Sequence, residues 1–319
     1  MATRHQPTLL LLLAISLTSQ PSWGQLTDEH TPLTLHWATG TTTYQYQHHR
    51  EQTVPGKPTA IDDATSTILI TVQEQTPTAM HTRWEQRGLT WTSNQPTTHA
   101  QLQHLTKDLV EVPALVTLTP NGQIHSVDNI QELTLQASTL TNQFLTLLGQ
   151  TSPPATIKRV RDHLQTWFQT PNAIQDLYTR DIRLFLLPFG QTHISNQTSR
   201  YETTLHHPLS PVALPAQAQF GPPQYSLDRH QLMLQWDLIA DPYKGRTLLE
   251  QLTKRLLKTM GFASDKSPTL PPLTLREHAT FTIALPEGWP EHMHWTRTIQ
   301  LGNAIEQDHM IMQRAASHP

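Results

Sequence analysis

The chain contains no cysteine. That absence excludes a disulfide scaffold, cysteine-ligated zinc, an iron–sulfur cluster and a cysteine nucleophile. Glycine is scarce too, at 12 of 319 residues, which leaves little material for loops that cradle phosphates. The chain has no G-x-S-x-G elbow, no P-loop, no G-x-G-x-x-G turn and no H-E-x-x-H helix. Charged residues make up only 15% of the chain, against about 25% in typical soluble domains, and the formal net charge is −3. Without a basic footprint, nucleic acid is not an expected partner. Asp62 and Asp63 are adjacent, so on a strand their carboxylates point to opposite faces and do not form a dyad. These absences point to a non-enzymatic protein and imply no cofactor.

Threonine, glutamine and histidine take the place of charge. The apolar fraction is 36% and arrives in patterned runs, so the chain is expected to fold. The first residues combine Arg4, an apolar run from Leu9 to Leu17, and Ser22-Trp23-Gly24 with small residues at the −3 and −1 positions before Gln25. This is the layout of a secretory signal peptide, and nine apolar residues fall short of the about 20 that span a bilayer. The expected product is periplasmic or secreted, cleaved near Gly24/Gln25, with no transmembrane span. An exported chain without cysteine fits a bacterial source.

From 33 to 127 the period is two. Leu33, Leu35 and Trp37 alternate with polar residues, Tyr44 and Tyr46 share a face, and Ile68, Ile70 and Val72 share another. Thr119-Pro120-Asn121-Gly122 predicts a hairpin, and the apolar match of Leu118 with Ile124 favours a bulged turn over a plain Asn-Gly turn that would face Leu118 with His125. The period then lengthens. Leu135, Leu140, Phe144 and Leu147 suggest a helix over 134–148. Ile157, Val160, Leu164 and Trp167 or Phe168 predict one after Pro153-Pro154, and Thr170-Pro171 caps a short third with Ile174 and Leu177 on its face. Residues 183–223 read as strands separated by loops. Leu232, Leu234, Trp236 and Leu238 share a strand face, a helix follows over 242–260 with a Glu250–Lys254 pair, and strands resume at 279–285, 292–300 and 304–313. The expected fold is α+β, mostly antiparallel sheet in two β-rich halves. The segments are a signal peptide (1–24), an N-terminal half (25–150), a helical connection (151–182) and a C-terminal half with one long helix (183–319).

Histidine is the unusual reagent, with 19 copies. A Gly302-Asn303 turn opposes Thr296 to His309 and Arg297 to Asp308. That register sets His292, His294 and His309 on one face, a possible set of imidazole ligands for zinc or copper, with a solvated polar face as the plainer reading. Neighbours on a strand face apart, so neither His48-His49 nor His206-His207 chelates by itself. Met293, Trp295, Met310 and Met312 share the other face, where core packing explains them.

Three stretches carry a resemblance: Gly40 to His48, with Tyr-x-Tyr on a strand; Val116 to Glu132, a strand–Gly–strand–Asp-Asn unit; and Ala279 to Met312, a strand, Gly-Trp-Pro and a final hairpin. Together they resemble uncharacterised exported bacterial β-rich proteins, known as domains of unknown function. The resemblance covers most of the mature chain, implies an envelope β-rich domain and transfers no catalytic residue. In architecture the chain is also similar to periplasmic half-barrel lipoprotein carriers, which shelter lipid chains between a sheet and helices. The expected function is binding of a hydrophobic ligand near Trp236 and Leu238, or of an envelope protein partner. The alternatives are a metal-binding protein or metal-dependent hydrolase built on His292, His294 and His309, and a purely structural module.

Overall fold

A computed structural model of the chain describes residues 18–20, 33–96, 112–149, 154–168, 173–194, 196–206, 214–226, 228, 230–247, 250, 271, 273–285 and 287–316. Antiparallel pairing dominates it. The strands are β1 (Thr18–Gln20), β2 (Gly40–Thr53), β3 (Ala60–Gln75), β4 (Met80–Ser93), β5 (Ala114–Leu118), β6 (Ile124–Val127), β7 (Ser199–His206), β8 (Leu214–Phe220), β9 (Gln224–Tyr225), β10 (Gln231–Ala240), β11 (Leu273–Ala284), β12 (Pro290–Leu301) and β13 (Ala304–Arg314). They form one sheet in the order β1-β7-β8-β10-β11-β12-β13-β2-β3-β4-β5-β6, with β9 beside β10. The β13–β2 pairing joins the N-terminal strands to the C-terminal ones, from Ile305 opposite Thr53 to Arg314 opposite Tyr44. Between β6 and β7 lie three helices, α1 (Ile130–Gly149), α2 (Pro154–Phe168) and α3 (Ala173–Leu186).

The local signals explain the hairpins. Gly122 takes φ 72°, and Leu118 pairs with Ile124 across the bulge as the turn residues predict. A side chain at Gly122 would meet the Phe189 Cβ at 2.6 Å, so packing as well as φ demands glycine. Gly302, at φ 61°, closes the last hairpin and sets Thr296 against His309 and Arg297 against Asp308.

Some expectations change. Residues 33–38 keep the alternation, with Leu35 and Trp37 buried, but lie outside the ladder. Leu35 N donates to the Pro120 carbonyl and Leu33 N to the Gln191 carbonyl, so the segment is pinned to two turns. The third helix is longer than expected. It runs to Leu186, with turns at 187–190 in place of a strand from 183. Its buried residues include Ile174, Ile182, Leu184, Phe185 and Leu186, whereas Leu177 is exposed. Phe185 and Leu186 belong to a short apolar run, which periodicity alone does not assign to helix or strand. The helix near 134–148 forms as α1, over a wider span. Helical structure begins at Pro242, where the Asp241 carboxylate accepts from Tyr243 N and Lys244 N as an N-cap. Glu250 pairs with Arg246 at 3.0 Å. The rest of the 242–260 stretch, including Lys254, lies outside the described residues, as do most of residues 1–24 and His207.

One sheet face is apolar and carries the core. Trp37 stacks on Trp289 with ring centroids 4.0 Å apart, and Phe185 and Phe189 meet its edges. Trp37 Nε1 donates to the Gly288 carbonyl and Tyr44 Oη to the Pro290 carbonyl, so these buried polar tips keep partners. Met293, Trp295, Met310 and Met312 are all buried here, as core packing requires.

Candidate functional site: an ionic row inside the sheet and a histidine row outside

The register of the central strands assembles two lines of side chains. On the inner face, Leu238, Glu277, Arg297, Asp308, Arg50 and Asp62 are successive cross-strand partners from β10 to β3. On the outer face, one residue along each strand, the line reads Asp237, His278, Thr296, His309, His49 and Asp63. The period of two sends adjacent residues to opposite faces, so Asp62 and Asp63 separate, and so do His48 and His49.

The centre of the inner row is buried, and Arg50 and Asp62 at its β2–β3 end are half-buried. Glu277, Arg297 and Glu306 are each 5% exposed, and Asp308 is 3% exposed. Arg297 Nε donates to Asp308 Oδ2 at 3.0 Å, and Arg50 Nη2 donates to Glu306 Oε2 at 2.6 Å. His48 Nε2 lies 3.5 Å from Asp308 Oδ1. Trp295 Nε1 donates to Glu277 Oε2 at 3.2 Å, and the guanidinium groups of Arg180 and Arg297 stand over the Trp295 ring at 5.4 and 5.5 Å. Tyr46 Oη donates to Asp181 of α3, which ties the helix to the row.

The environment splits the carboxylates. Burial raises the Glu277 pKa, and the charges of Arg297 and Arg180 only partly offset it. Burial also pushes Asp308 up, but the His48 bond and the charges of Arg297 and Arg50 overcome it and hold that carboxyl well below its ordinary value. Among the described residues, three buried polar atoms of the cluster have no hydrogen-bond partner: Arg50 Nε, Arg297 Nη1 and Glu306 Oε1.

Trp236 and Leu238 are buried on the same face, each 1% exposed. Trp236 Nε1 donates to Tyr201 Oη at 2.8 Å, and Leu238 is the cross-strand partner of Glu277.

The outer row is polar and half-open. His49 Nδ1 bonds Asp63 Oδ1 at 2.7 Å, and His278 Nδ1 bonds Asp237 Oδ1 at 2.8 Å. Between these ends, the His309 ring centroid lies 6.2 Å from that of His294 and 5.9 Å from that of His49. Burial holds the His294 pKa below its ordinary value, helped by His309, His292 and His278. The last hairpin therefore sets His294 beside His309, with His292 two residues further along β12. The other two neighbours, His49 and His278, come from β2 and β11. His49 had parity alone as its signal, because the β13–β2 pairing joins distant segments, and His278 lies one residue before the strand expected at 279–285. Among the described residues, no three His, Asp or Glu side chains converge as a ready metal cage.

No family model and no curated protein matches this chain. Among solved structures, lipovitellin, in a structure titled for its lipid–protein interactions, aligns at 12% identity with a TM-score of 0.39, covering 91% of this chain and 27% of that one. DynF from the dynemicin biosynthesis pathway of Micromonospora chersina aligns at 7% identity with a TM-score of 0.19, covering 92% of each chain. The chain thus spans about a quarter of the lipovitellin chain, and at these scores neither likeness fixes a function.

Proposed function

We propose that this is an exported, non-enzymatic binding protein for an amphipathic ligand, held against the inner face with its polar head at the ionic row. The observation that carries the reading is a set of buried polar atoms that, among the described residues, lack a hydrogen bond within the ionic row. Among the described residues Arg50 Nε and Arg297 Nη1 make no hydrogen bond and Glu306 Oε1 accepts none, although Arg50 Nε lies 3.9 Å from Asp308 Oδ1 and Glu306 Oε1 3.9 Å from Arg297 Nη2. A buried unsatisfied polar group costs about 1–3 kcal/mol, so a head that bonds them gains that back on binding. A hydroxyl or amide both donates and accepts, which matches the set. A carboxylate head would crowd the carboxylates Asp308, Glu306 and Asp62, against which Arg297, Arg50 and Arg180 are the nearby cations. Leu238 and Trp236 lie on the tail side of Glu277. Export rests on Arg4, the Leu9–Leu17 run and the Ser22/Gly24 spacing. No described helix is long and apolar enough to cross a membrane.

Native mass spectrometry of the mature protein, purified gently from its own envelope, tests the proposal. The expected spectrum shows extra mass that organic extraction removes and that Arg50→Met no longer retains. The extracted chain should then bind a long-chain alcohol in preference to the matching fatty acid. A bare chain mass, together with no uptake of either probe, overturns the reading.

A further inference from the structure

We propose that the outer face binds a late first-row divalent cation, Cu2+ most tightly, through His309 and His49, with His294 as an additional donor. The site is independent of the inner ligand. Its basis is register. His49 and His309 are directly opposed cross-strand partners on adjacent antiparallel strands. Directly opposed Cβ atoms lie about 4.5–5.5 Å apart, a spacing from which two imidazoles reach one ion. Metal–nitrogen bonds of about 2.0–2.1 Å put two coordinated ring centroids roughly 5 Å apart. The observed 5.9 Å is within reach of side-chain rotation, because the His49 side chain is 41% exposed.

The pair is also oriented. The Asp63 carboxylate holds His49 at Nδ1, which leaves Nε2 for the metal. A carboxylate behind a ligating imidazole fixes its tautomer and raises its basicity. His278 has the same arrangement with Asp237 at the far end of the row. His294 stacks on the other side of His309, with the ring planes 16° apart, and supplies a third nitrogen after rotation. Water completes the coordination. Imidazole donors without thiolate suit Cu2+ or Zn2+, and the Irving–Williams order favours Cu2+. The groups facing the pair from neighbouring strands are Asp63 on β3, Thr296 and His294 on β12, and His278 on β11. None of them is cationic when the imidazoles are neutral.

Calorimetry and electron paramagnetic resonance with Cu2+ alone, on the metal-free mature chain near neutral pH, test the assignment. One Cu2+ per chain is expected, with hyperfine splitting from at least two imidazole nitrogens. His309→Gln and His49→Gln should each weaken binding at least about tenfold, and the double variant should lose little more than either single one, since one chelate is broken in every case. His125→Gln on β6 should leave affinity unchanged. The substituted rings are surface groups, and far-UV circular dichroism confirms that each variant is folded. Affinity that survives both substitutions, or hyperfine splitting from a single nitrogen, overturns the site. Because no apolar ligand enters the measurement, its result is read separately from the fate of the inner-face proposal.

Discussion

One residue along each strand separates two chemistries. Glu277, Arg297, Asp308 and Arg50 face inward, where charges are desolvated and locked by mutual contacts. Their neighbours His278, Thr296, His309 and His49 face outward, where imidazoles stay half-open beside water. The backbone and register are the same for both rows, so only environment differs. Inside, the row resists change, because removing one ion strands its partner. Outside, each ring can rotate without disturbing the core. A register slip of one residue would exchange the rows and place the histidines in the apolar layer, so the inner row also guards against that error.

The largest expected effect comes from breaking the inner row. Arg297→Met should cost roughly 3–5 kcal/mol of folding stability, since Asp308 and Glu277 are left buried without their shared cation. Its outward neighbour, Thr296→Ala, should stay within about 0.5 kcal/mol. Urea denaturation of both variants, read by tryptophan fluorescence, measures the contrast. Equal losses would mean that the two faces are not energetically distinct.

A finer test separates two carboxylates inside the row. Burial acts against the Asp308 charge, but His48, Arg297 and Arg50 hold its folded pKa below the unfolded one, so its contribution is present above about pH 4 and is lost as pH falls through the folded value. Asp308→Asn should cost about 1–3 kcal/mol at neutral pH and flatten the acid limb of the stability curve. Glu277 has the opposite sign. Burial raises its folded pKa, so its contribution is present below about pH 4 and is lost as pH rises. Glu277→Gln keeps an acceptor for Trp295 Nε1 and should hold or raise the thermal midpoint at neutral pH. Thermal melts of the two variants at several pH values should show shifts of different size and pH slope.

Much of this arrangement was legible locally. The Gly302-Asn303 turn fixed the β12–β13 register, and with it the facing of Arg297 on Asp308 and the neighbourhood of His294 and His309. Alternation alone separated Asp62 from Asp63 and His48 from His49. What the sequence hid was long-range pairing. Arg50 joins Asp308, and His49 joins His309, only because β13 docks on β2, and no turn signals that contact. The burial of Arg297 and Glu277 was hidden too, since a charged residue on an apolar strand face reads as an interruption until its cross-strand partners are known. Trp236 and Leu238 were legible as one face through their alternation, but the Tyr201 partner comes from β7 by way of β8.

The smallest effect probes the outer face. Burial lowers the His294 pKa in the folded chain, and the charges of His309, His292 and His278 lower it further. The neutral ring is therefore favoured by folding. Its contribution is complete above the unfolded value near pH 6.5 and is lost as pH falls through the folded one. Solvent screening at a half-open site keeps the effect to a few tenths of a kcal/mol. His294→Gln should make stability flatter between about pH 7 and pH 5, measured as urea midpoints in small pH steps. His309→Gln should leave part of the slope and bring the His294 ring, followed by its proton resonances, closer to ordinary titration. A slope unchanged in both variants would assign the acid sensitivity to the inner row, and the outer histidines would then be electrostatically silent in folding.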